Sequence, residues 1–411
     1  MAHVLLIHQG FTMPNEPGGT RHFELGCGAA RAGYQVTVIA SDISYITGAS
    51  AIDDTKLTLD VPERLTVLRA RTGRTIHGTF VGRLFSLVSF AASSFIKALR
   101  IRRVDVVMGT SPPIFQAMSA CLVAALRRRP FLLEIRDLWP EFIIDMGFLK
   151  NPLLIACSRW LEVFLYSRAT HLLVNSPAYI DYLIQKNVPK EKITLVPNGV
   201  DPAMFDPSSD GSGVRKQLSL NDKFVVVYAG AVGPANDLDL LLEAAAHLKS
   251  DSLIHIVIVG DGKERKRLQA QAETKSLDNV SFAGPQPKNE MRNFLACADA
   301  CVAILQNIRM FQMTYPNKVF DYMAAGRPVV VAIDGVIREV VETARAGIFS
   351  KPGDAASLAD AIRFLAGHQK ESQAMSRNGR IYVERYFNRS VHTEQFIALI
   401  QKMASAGGNC T

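Results

Sequence analysis

The stretch Tyr315 Pro316 Asn317 Lys318 Val319 Phe320 Asp321 Tyr322 Met323 Ala324 Ala325 Gly326 Arg327 Pro328 Val329 Val330 Val331 reads as a helix with a polar start, a Gly-Arg-Pro turn and an apolar strand. Pro316 is placed at the first helical position, where a missing N–H needs no partner. The free N–H groups of a helix start carry partial positive charge, and Lys318 adds a full one, so this terminus suits an anion such as phosphate. Asp321 lies one turn on. Its acceptor-only carboxylate can receive the two hydroxyls of a ribose while the helix start receives phosphate. The same residues fit an ordinary surface helix carrying an ion pair, and their chemistry alone leaves both readings open.

On either side of this stretch, apolar β runs alternate with helical patterns, as in parallel sheets covered by helices on both faces. In the first half, strands are predicted at Val4 to His8, Val36 to Ala40, Leu65 to Arg69, Val104 to Gly109, Phe131 to Ile135, His171 to Val174 and Ile193 to Val196. A second series runs Phe224 to Ala229, Ile254 to Val259, Val280 to Ala283, Ala300 to Ala303, Val329 to Ala332 and Gly347 to Ser350. The fold class that follows is α/β, with two Rossmann-like doubly wound domains facing across a cleft. The predicted domains are residues 1–200 and 201–388, with a C-terminal helix in 389–411 crossing back to the first. A linker is placed near residues 197 to 212.

A chain of 411 residues, 48% apolar and 20% charged, is globular and exceeds what one core usually fills. Its six cysteines form no CxxC pair and no metal-ligand spacing with histidine, which points to reduced thiols in a cytosolic protein. Met1 to His8 lacks the basic start and long apolar core of a signal peptide and reads as a strand. Val106 to Leu126 carries no charge and imitates a membrane span, but Thr110 Ser111 Pro112 Pro113 divides it into a strand and a helix. Residues 1–192 hold 22 Lys and Arg against 15 Asp and Glu, so seven of the eight net positive charges lie there. They include Arg69, Arg71, Arg74, Arg83, Lys97, Arg100, Arg102, Arg103 and Arg127 to Arg129, beside the apolar run Leu84 to Ile96. That pairing suits an anionic membrane surface, and no nucleic-acid module accompanies it. A helical pair with a merely solvated basic side is the alternative.

Several loops at strand ends carry chemistry. Gly230 Ala231 Val232 Gly233 can hold an anion on its backbone N–H groups, with a helix expected from near Asn236; a plain tight turn fits as well. Gly18 and Gly19, between the first strand and the first helix, permit close approach of a ligand or merely a turn, the matching loop of the second domain favouring the ligand. Asp237 and Asp239 form a DxD, but acidic residues in the first turn of a helix complement its dipole, and no metal is expected. Glu134 Ile135 Arg136 Asp137 Leu138 Trp139 Pro140 Glu141 is a charged cluster at the end of a buried strand, either an Arg136–Asp137 network or part of a site where Asp137 and Glu141 align an acceptor hydroxyl. His8 is a weaker candidate.

The ordered set Gly18 Gly19 with Arg21, Arg31 to Val38, Val196 to Asp201, Tyr228 Ala229 Gly230, Val259 to Gly262, Val280 to Gly284, Ala298 Asp299 and the opening stretch resembles the retaining glycosyltransferases of group 1, a GT-B family also known as GT4. The resemblance covers nearly the whole chain. It implies a UDP-sugar donor, no metal or other cofactor, and a site drawn from Gly18, Gly19, Gly230, Gly233, Gly262, Phe282, Pro285, Asn317, Lys318 and Asp321. Asp137, Lys318 and Gly19 are the implied catalytic residues. The second glutamate of the family's E-x7-E element matches Asp321, whereas the first falls on Met313, which cannot bind a sugar hydroxyl; the usual cation after the GxxG loop is also missing, leaving Lys318 as the leading cation for the diphosphate. Arg136 to Glu141 and Thr110 to Pro113 resemble a subgroup with N-acetyl-L-fucosaminyl transferases of O-antigen assembly. The implied reaction moves an N-acetylated amino sugar from UDP to a lipid-linked saccharide in surface polysaccharide synthesis, in the cytoplasm and peripherally on the inner face of the plasma membrane. A UDP-sugar 2-epimerase of the same fold is the alternative, and a nucleotide-binding subunit without catalysis is a third reading.

Overall fold

Runs such as Val-Val-Val-Tyr-Ala and Ile-His-Ile-Val-Ile-Val carry β-branched residues at successive positions, as strands buried on both faces require. In the computed structural model they build two parallel sheets. The structure describes residues 2–16, 18–44, 48, 50, 61–73 and 80–407, so Arg74 and Cys410 lie outside the described residues. The chain forms two compact units, one of Met1–Thr12, Thr20–Pro197 and Ser390–Thr411, the other of Met13–Gly19 and Asn198–Arg389.

The first unit contains β1 (His3–Ile7), β2 (Gln35–Ser41), β3 (Leu65–Ala70), β4 (Val106–Ser111), β5 (Phe131–Ile135), β6 (His171–Val174) and β7 (Ile193–Leu195). Their order is β3-β2-β1-β4-β5-β6-β7, with Val4 paired to Val36 on one side and to Val106 on the other. Right-handed crossovers therefore place the helices after β3, β4 and β5 on one face of the sheet and the Arg21–Arg31 helix on the other. Gly28 of that helix abuts Thr393 of the C-terminal Arg389–Gly407 helix. The uncharged run at Val106 is β4 followed by the Ile114–Arg127 helix.

The second unit contains β8 (Phe224–Ala229), β9 (Ile254–Val259), β10 (Val280–Gly284), β11 (Ala300–Ile304), β12 (Val329–Ala332) and β13 (Gly347–Phe349), in the order β10-β9-β8-β11-β12-β13. Strand order reverses between β8 and β11, and such a point, outside the strands' carboxyl ends, is where doubly wound sheets bind ligands. The opening stretch forms the helix Asn317–Ala324, Gly326 at φ +63° and β12. Pro316 caps this helix rather than beginning it, because the chain stays extended there at ψ 122°. The helix buries Val319, Phe320, Tyr322 and Met323, each such side chain contributing about 1.5–3 kcal/mol. Tyr322 also fixes its position: the hydroxyl accepts from the Ala229 N–H at 2.8 Å and donates to the Ala229 carbonyl at 3.0 Å, at the end of β8.

Candidate functional site

Docking of the Asn317–Ala324 helix on the end of β8 carries Lys318 to the Gly230 loop. Its ammonium donates to the Tyr228 hydroxyl at 2.8 Å and to Asn236 Oδ1 at 2.9 Å, and it lies 4.2 Å from the centre of the Tyr228 ring. Tyr228 in turn donates to the Ala231 carbonyl at 2.7 Å. All these partners are neutral, and loss of water lowers the Lys318 pKa to about 7. Gly230 is required by this arrangement, since a Cβ there would stand 2.8 Å from the ammonium. Packing of the loops is as tight: Cβ atoms at Gly260 and Gly262 would stand 1.8 Å and 2.2 Å from the Gly230 and Val232 carbonyl oxygens. The N–H groups of Gly230 and Val232 are spent on Val259 and Asp261 carbonyls at 2.9 and 2.8 Å, which corrects the expectation that the whole loop offers donors. Ala231 and Gly233 retain the loop N–H groups suited to an anion, and a Cβ on Gly233 would meet open space.

Lys318 and Asp321 do not form the ion pair of the alternative, ordinary-helix reading. Asp321 instead accepts from Lys288 at 2.5 Å, both side chains being 14% exposed, and the Lys288 ammonium sits 4.8 Å from the centre of the Phe205 ring. Met313 ends the short Arg309–Gln312 helix. Gly19 lies beside Asn317, whose Nδ2 would be 3.8 Å from a Cβ on the glycine. The structure thus brings Gly19 and Asn317 together at the start of the helix, with Gly18 in the same unit. Phe282 points another way: its half-buried ring packs on the unit's hydrophobic core, while Pro285 is exposed. The helix expected near Asn236 starts at Leu238, because Pro234–Asn236 forms a 3-10 turn and Asp237 is left-handed at φ 44°. Asp239 accepts both arms of the Arg267 guanidinium, at 2.9 and 2.6 Å.

In the first unit, polar side chains gather at the carboxyl ends of β1, β4 and β5. Glu134 is wholly buried and accepts from Arg21 Nε at 2.9 Å and from His22, while Arg21 also donates to the Val196 and Pro197 carbonyls at 2.7 Å each. Burial alone would raise the Glu134 pKa; His22 and Arg21 overcome it and hold the carboxyl well below its usual range. His8 hydrogen-bonds Thr110 at 2.9 Å and lies 3.3 Å from Arg136, and burial, with His22 and Arg136 nearby, keeps it neutral. Asp137, beside this cluster, has its pKa raised to about 6 by loss of water against the pull of Arg136. Glu141 does not join it. Arg159 grips both its carboxylate oxygens, at 2.7 and 2.9 Å, so the expectation that Asp137 and Glu141 together align a hydroxyl is corrected.

Lys288 escaped the sequence reading, and Tyr228 and Asn236 entered it only as a motif residue and a helix start, not as partners of Lys318. Tyr228 left one signal, as the single polar side chain of an otherwise apolar strand; Lys288 left none, standing 33 residues before its partner.

Residues 18–199 match the glycosyl transferase 4-like domain and residues 213–382 match glycosyl transferases group 1. Together the two matches take in most of the chain. The protein belongs to the group 1 glycosyltransferases, with the GT-B fold. Among curated members, an Escherichia coli protein named as a glycosyl transferase of colanic acid biosynthesis is 27% identical over 61% of this chain and 63% of its own. The lipopolysaccharide 1,2-N-acetylglucosaminetransferase of Salmonella typhimurium is 30% identical over 40% and 44%. The chain spans between 52% and 63% of the length of the first three curated relatives. Among solved structures, Anabaena HepE in complex with UDP superposes with a TM-score of 0.73 at 20% identity, covering 98% of this chain and 100% of that one. Sucrose-phosphate synthase from Thermosynechococcus elongatus gives 0.77 at 19% identity, covering 99% and 100%. The likeness to these structures is one of fold.

Proposed function

We propose that the protein transfers a sugar from a UDP-sugar to a lipid-linked saccharide, with retention at the anomeric carbon, in the synthesis of a surface polysaccharide. The sugar in this reading is an N-acetylated amino sugar, a choice supported by the name of the Salmonella relative and by the Arg136 to Glu141 cluster. The observation that carries the proposal is the Lys318 ammonium, held by neutral partners at the switch point of the second sheet. A cation with no counter-ion among those partners is poised for the charge that grows on a diphosphate as the anomeric C–O bond breaks, and removing such a donor typically costs about 3 kcal/mol. The Ala231 and Gly233 N–H groups and the Asn317 helix start complete an anion cradle. Asp321, steadied by Lys288, receives the ribose hydroxyls. With Met313 where a carboxylate would serve, sugar hydroxyls fall to other groups. Asp137 orients the acceptor hydroxyl, and the leaving diphosphate takes its proton on the same face. No metal enters this scheme. The reaction belongs on the cytoplasmic side of the plasma membrane, where the basic first unit meets anionic lipid.

A screen of UDP-sugars by UDP release, run with a lipid-linked acceptor extract, tests this. Release with an N-acetylated donor, lost in Lys318→Ala, is the expected result. Inertness toward every nucleotide sugar would sink the transferase reading, and epimerised nucleotide without acceptor would replace it with an isomerase.

A further inference from the structure

Two helices of the first unit bury polar side chains in their inward stripe and expose large apolar ones outward. A helix covering a sheet normally turns its apolar stripe inward and its polar stripe to water. The Pro152–Arg168 helix departs from this: beside Leu165 and Tyr166 its inward stripe buries Glu162, which accepts from Tyr166 at 2.9 Å, Tyr182 at 2.8 Å and Lys186 at 3.2 Å. Its outer stripe carries Leu153, 70% exposed, Trp160, 66% exposed, and Val163. The Phe80–Leu99 helix repeats the pattern. Ser86, Phe90, Ser94 and Ala98, four residues apart, face the unit, and the Ser86 hydroxyl is buried without a hydrogen-bond partner. Phe85, 63% exposed, and Ile96 face outward. Between them packs the Ile114–Arg127 helix, which exposes Leu126. All three cross between parallel strands on one face of the sheet, so they run in the same direction and their last turns, with Lys97, Arg127 and Arg168, line up. Arg127 shows the alignment directly, donating to the Ala98 and Leu99 carbonyls at 3.1 and 3.0 Å.

We propose that this three-helix wall inserts into the apolar boundary of an anionic bilayer, with Trp160 and Leu153 among the acyl chains and the basic last turns at the headgroups. The proposal rests on the membrane site of action proposed above and changes its physics. Attraction of basic residues to anionic lipid fades as salt screens it, whereas burial of apolar area does not. Gly82–Leu99 is long and apolar enough to cross a bilayer, but its inward serine-bearing stripe packs on the unit, which makes the helix lie on the membrane rather than span it. Charge complementarity selects the occupant: exposed Lys150, Arg128 and Arg168 adjoin the apolar stripes, and a second copy of the same wall would oppose basic turns to basic turns.

Flotation of the full chain with phosphatidylcholine vesicles, with and without phosphatidylglycerol, tests the proposal. Expected is tighter partition with the anionic lipid, part of which persists in molar NaCl, where the screening length is ~3 Å. A Leu153→Glu/Trp160→Glu variant should lose at least about tenfold of that salt-resistant partition, and the milder Trp160→Ala a smaller part, each with the first unit's thermal transition unmoved as proof of folding. Trp160→Phe should abolish the blue shift of tryptophan emission on vesicles while keeping partition, since Trp139 is the other tryptophan. Partition that vanishes in high salt, or survives the double glutamate variant unchanged, overturns the insertion. So does a protein that ignores vesicles and sediments as a dimer dissociated by the same variant. UDP release toward a water-soluble acceptor reads the transferase proposal separately.

Discussion

Lys318 gives up water for a phenol oxygen, an amide oxygen and an aromatic face, and none of these repays the loss of hydration of an ammonium as a carboxylate would. Its depressed pKa follows, with two consequences of opposite sign. In the ligand-free protein the folded state binds fewer protons than the unfolded one between about pH 7 and the ordinary lysine range, so this group makes the fold progressively less stable as pH falls from that range toward 7, below which its cost is constant. Binding of a diphosphate favours the charged form, so UDP binding should take up a proton above pH 7. Calorimetry in buffers of different ionisation enthalpy should show that uptake, and Kd should weaken as pH rises through 7; a Kd flat from pH 6 to 9 would refute the contact. Lys318→Ala should lower kcat by about 100-fold. Asp137 titrates on the other side, near 6, and as an acceptor-orienting carboxylate it should make kcat/KM fall below that pH. Asp137→Asn should remove this acid limb and lower kcat while leaving UDP affinity within twofold, as measured by a pH–rate series and titration calorimetry. The place of Lys318 in the first turn of a helix was legible from Pro316 and Asn317 before it. Its partners were not, because Tyr228 and Asn236 lie 90 and 82 residues away and only the fold brings them in. The same blindness turned Asp321 into a neighbour of Lys318 when it belongs to Lys288.

At the scale of elements, the second unit's site is a set of interlocked turns. The Gly260 turn after β9 presses on the Gly230 turn after β8, and the Tyr322 hydroxyl locks the Asn317–Ala324 helix to the same strand end. Gly260 combines φ +144° with a Cβ position 1.8 Å from the Gly230 oxygen, so no side chain fits without moving the loop. Gly260→Ala should therefore destabilise the second unit by about 3 kcal/mol and weaken UDP binding at least tenfold; thermal unfolding and calorimetry read both. A variant of wild-type stability and affinity would show that the loops yield freely. Strand positions were readable because buried parallel strands leave unbroken apolar runs: β8 and β9 stand as the residue pattern placed them. Helix starts were less so. Asp237 offers an acidic first turn by composition, yet a left-handed backbone there delays the helix to Leu238. Nor does apolar periodicity reveal which face of a helix turns inward, and the buried Glu162 could be located only through its partners Tyr166, Tyr182 and Lys186.

For the molecule as a whole, each unit has its own sheet and its own buried polar anchor, which makes the two separable by experiment. The first depends on Glu134, whose carboxylate neutralises the buried Arg21 guanidinium and bonds the His22 ring; replacing it by Gln leaves Arg21 buried without a counter-charge, at a cost of about 3–5 kcal/mol. Because the folded pKa of Glu134 is depressed, its contribution is present above the unfolded carboxylate pKa near 4.3 and is lost as pH falls below it. The second unit carries the proposed UDP cradle, and a ligand that binds only the folded state adds about 2.7 kcal/mol at a hundred times its Kd. Calorimetric scans near pH 7 should accordingly show two transitions. UDP should raise one and leave the other in place, and Glu134→Gln should lower only the one that UDP does not move. As the pH is taken from 5 to 3, the wild-type transition sensitive to Glu134 should fall faster than its companion, and the variant should lose this extra slope. A single transition that shifts as one with both UDP and the substitution would mean that the units unfold as one cooperative block, and that the anchor in the first supports the site in the second.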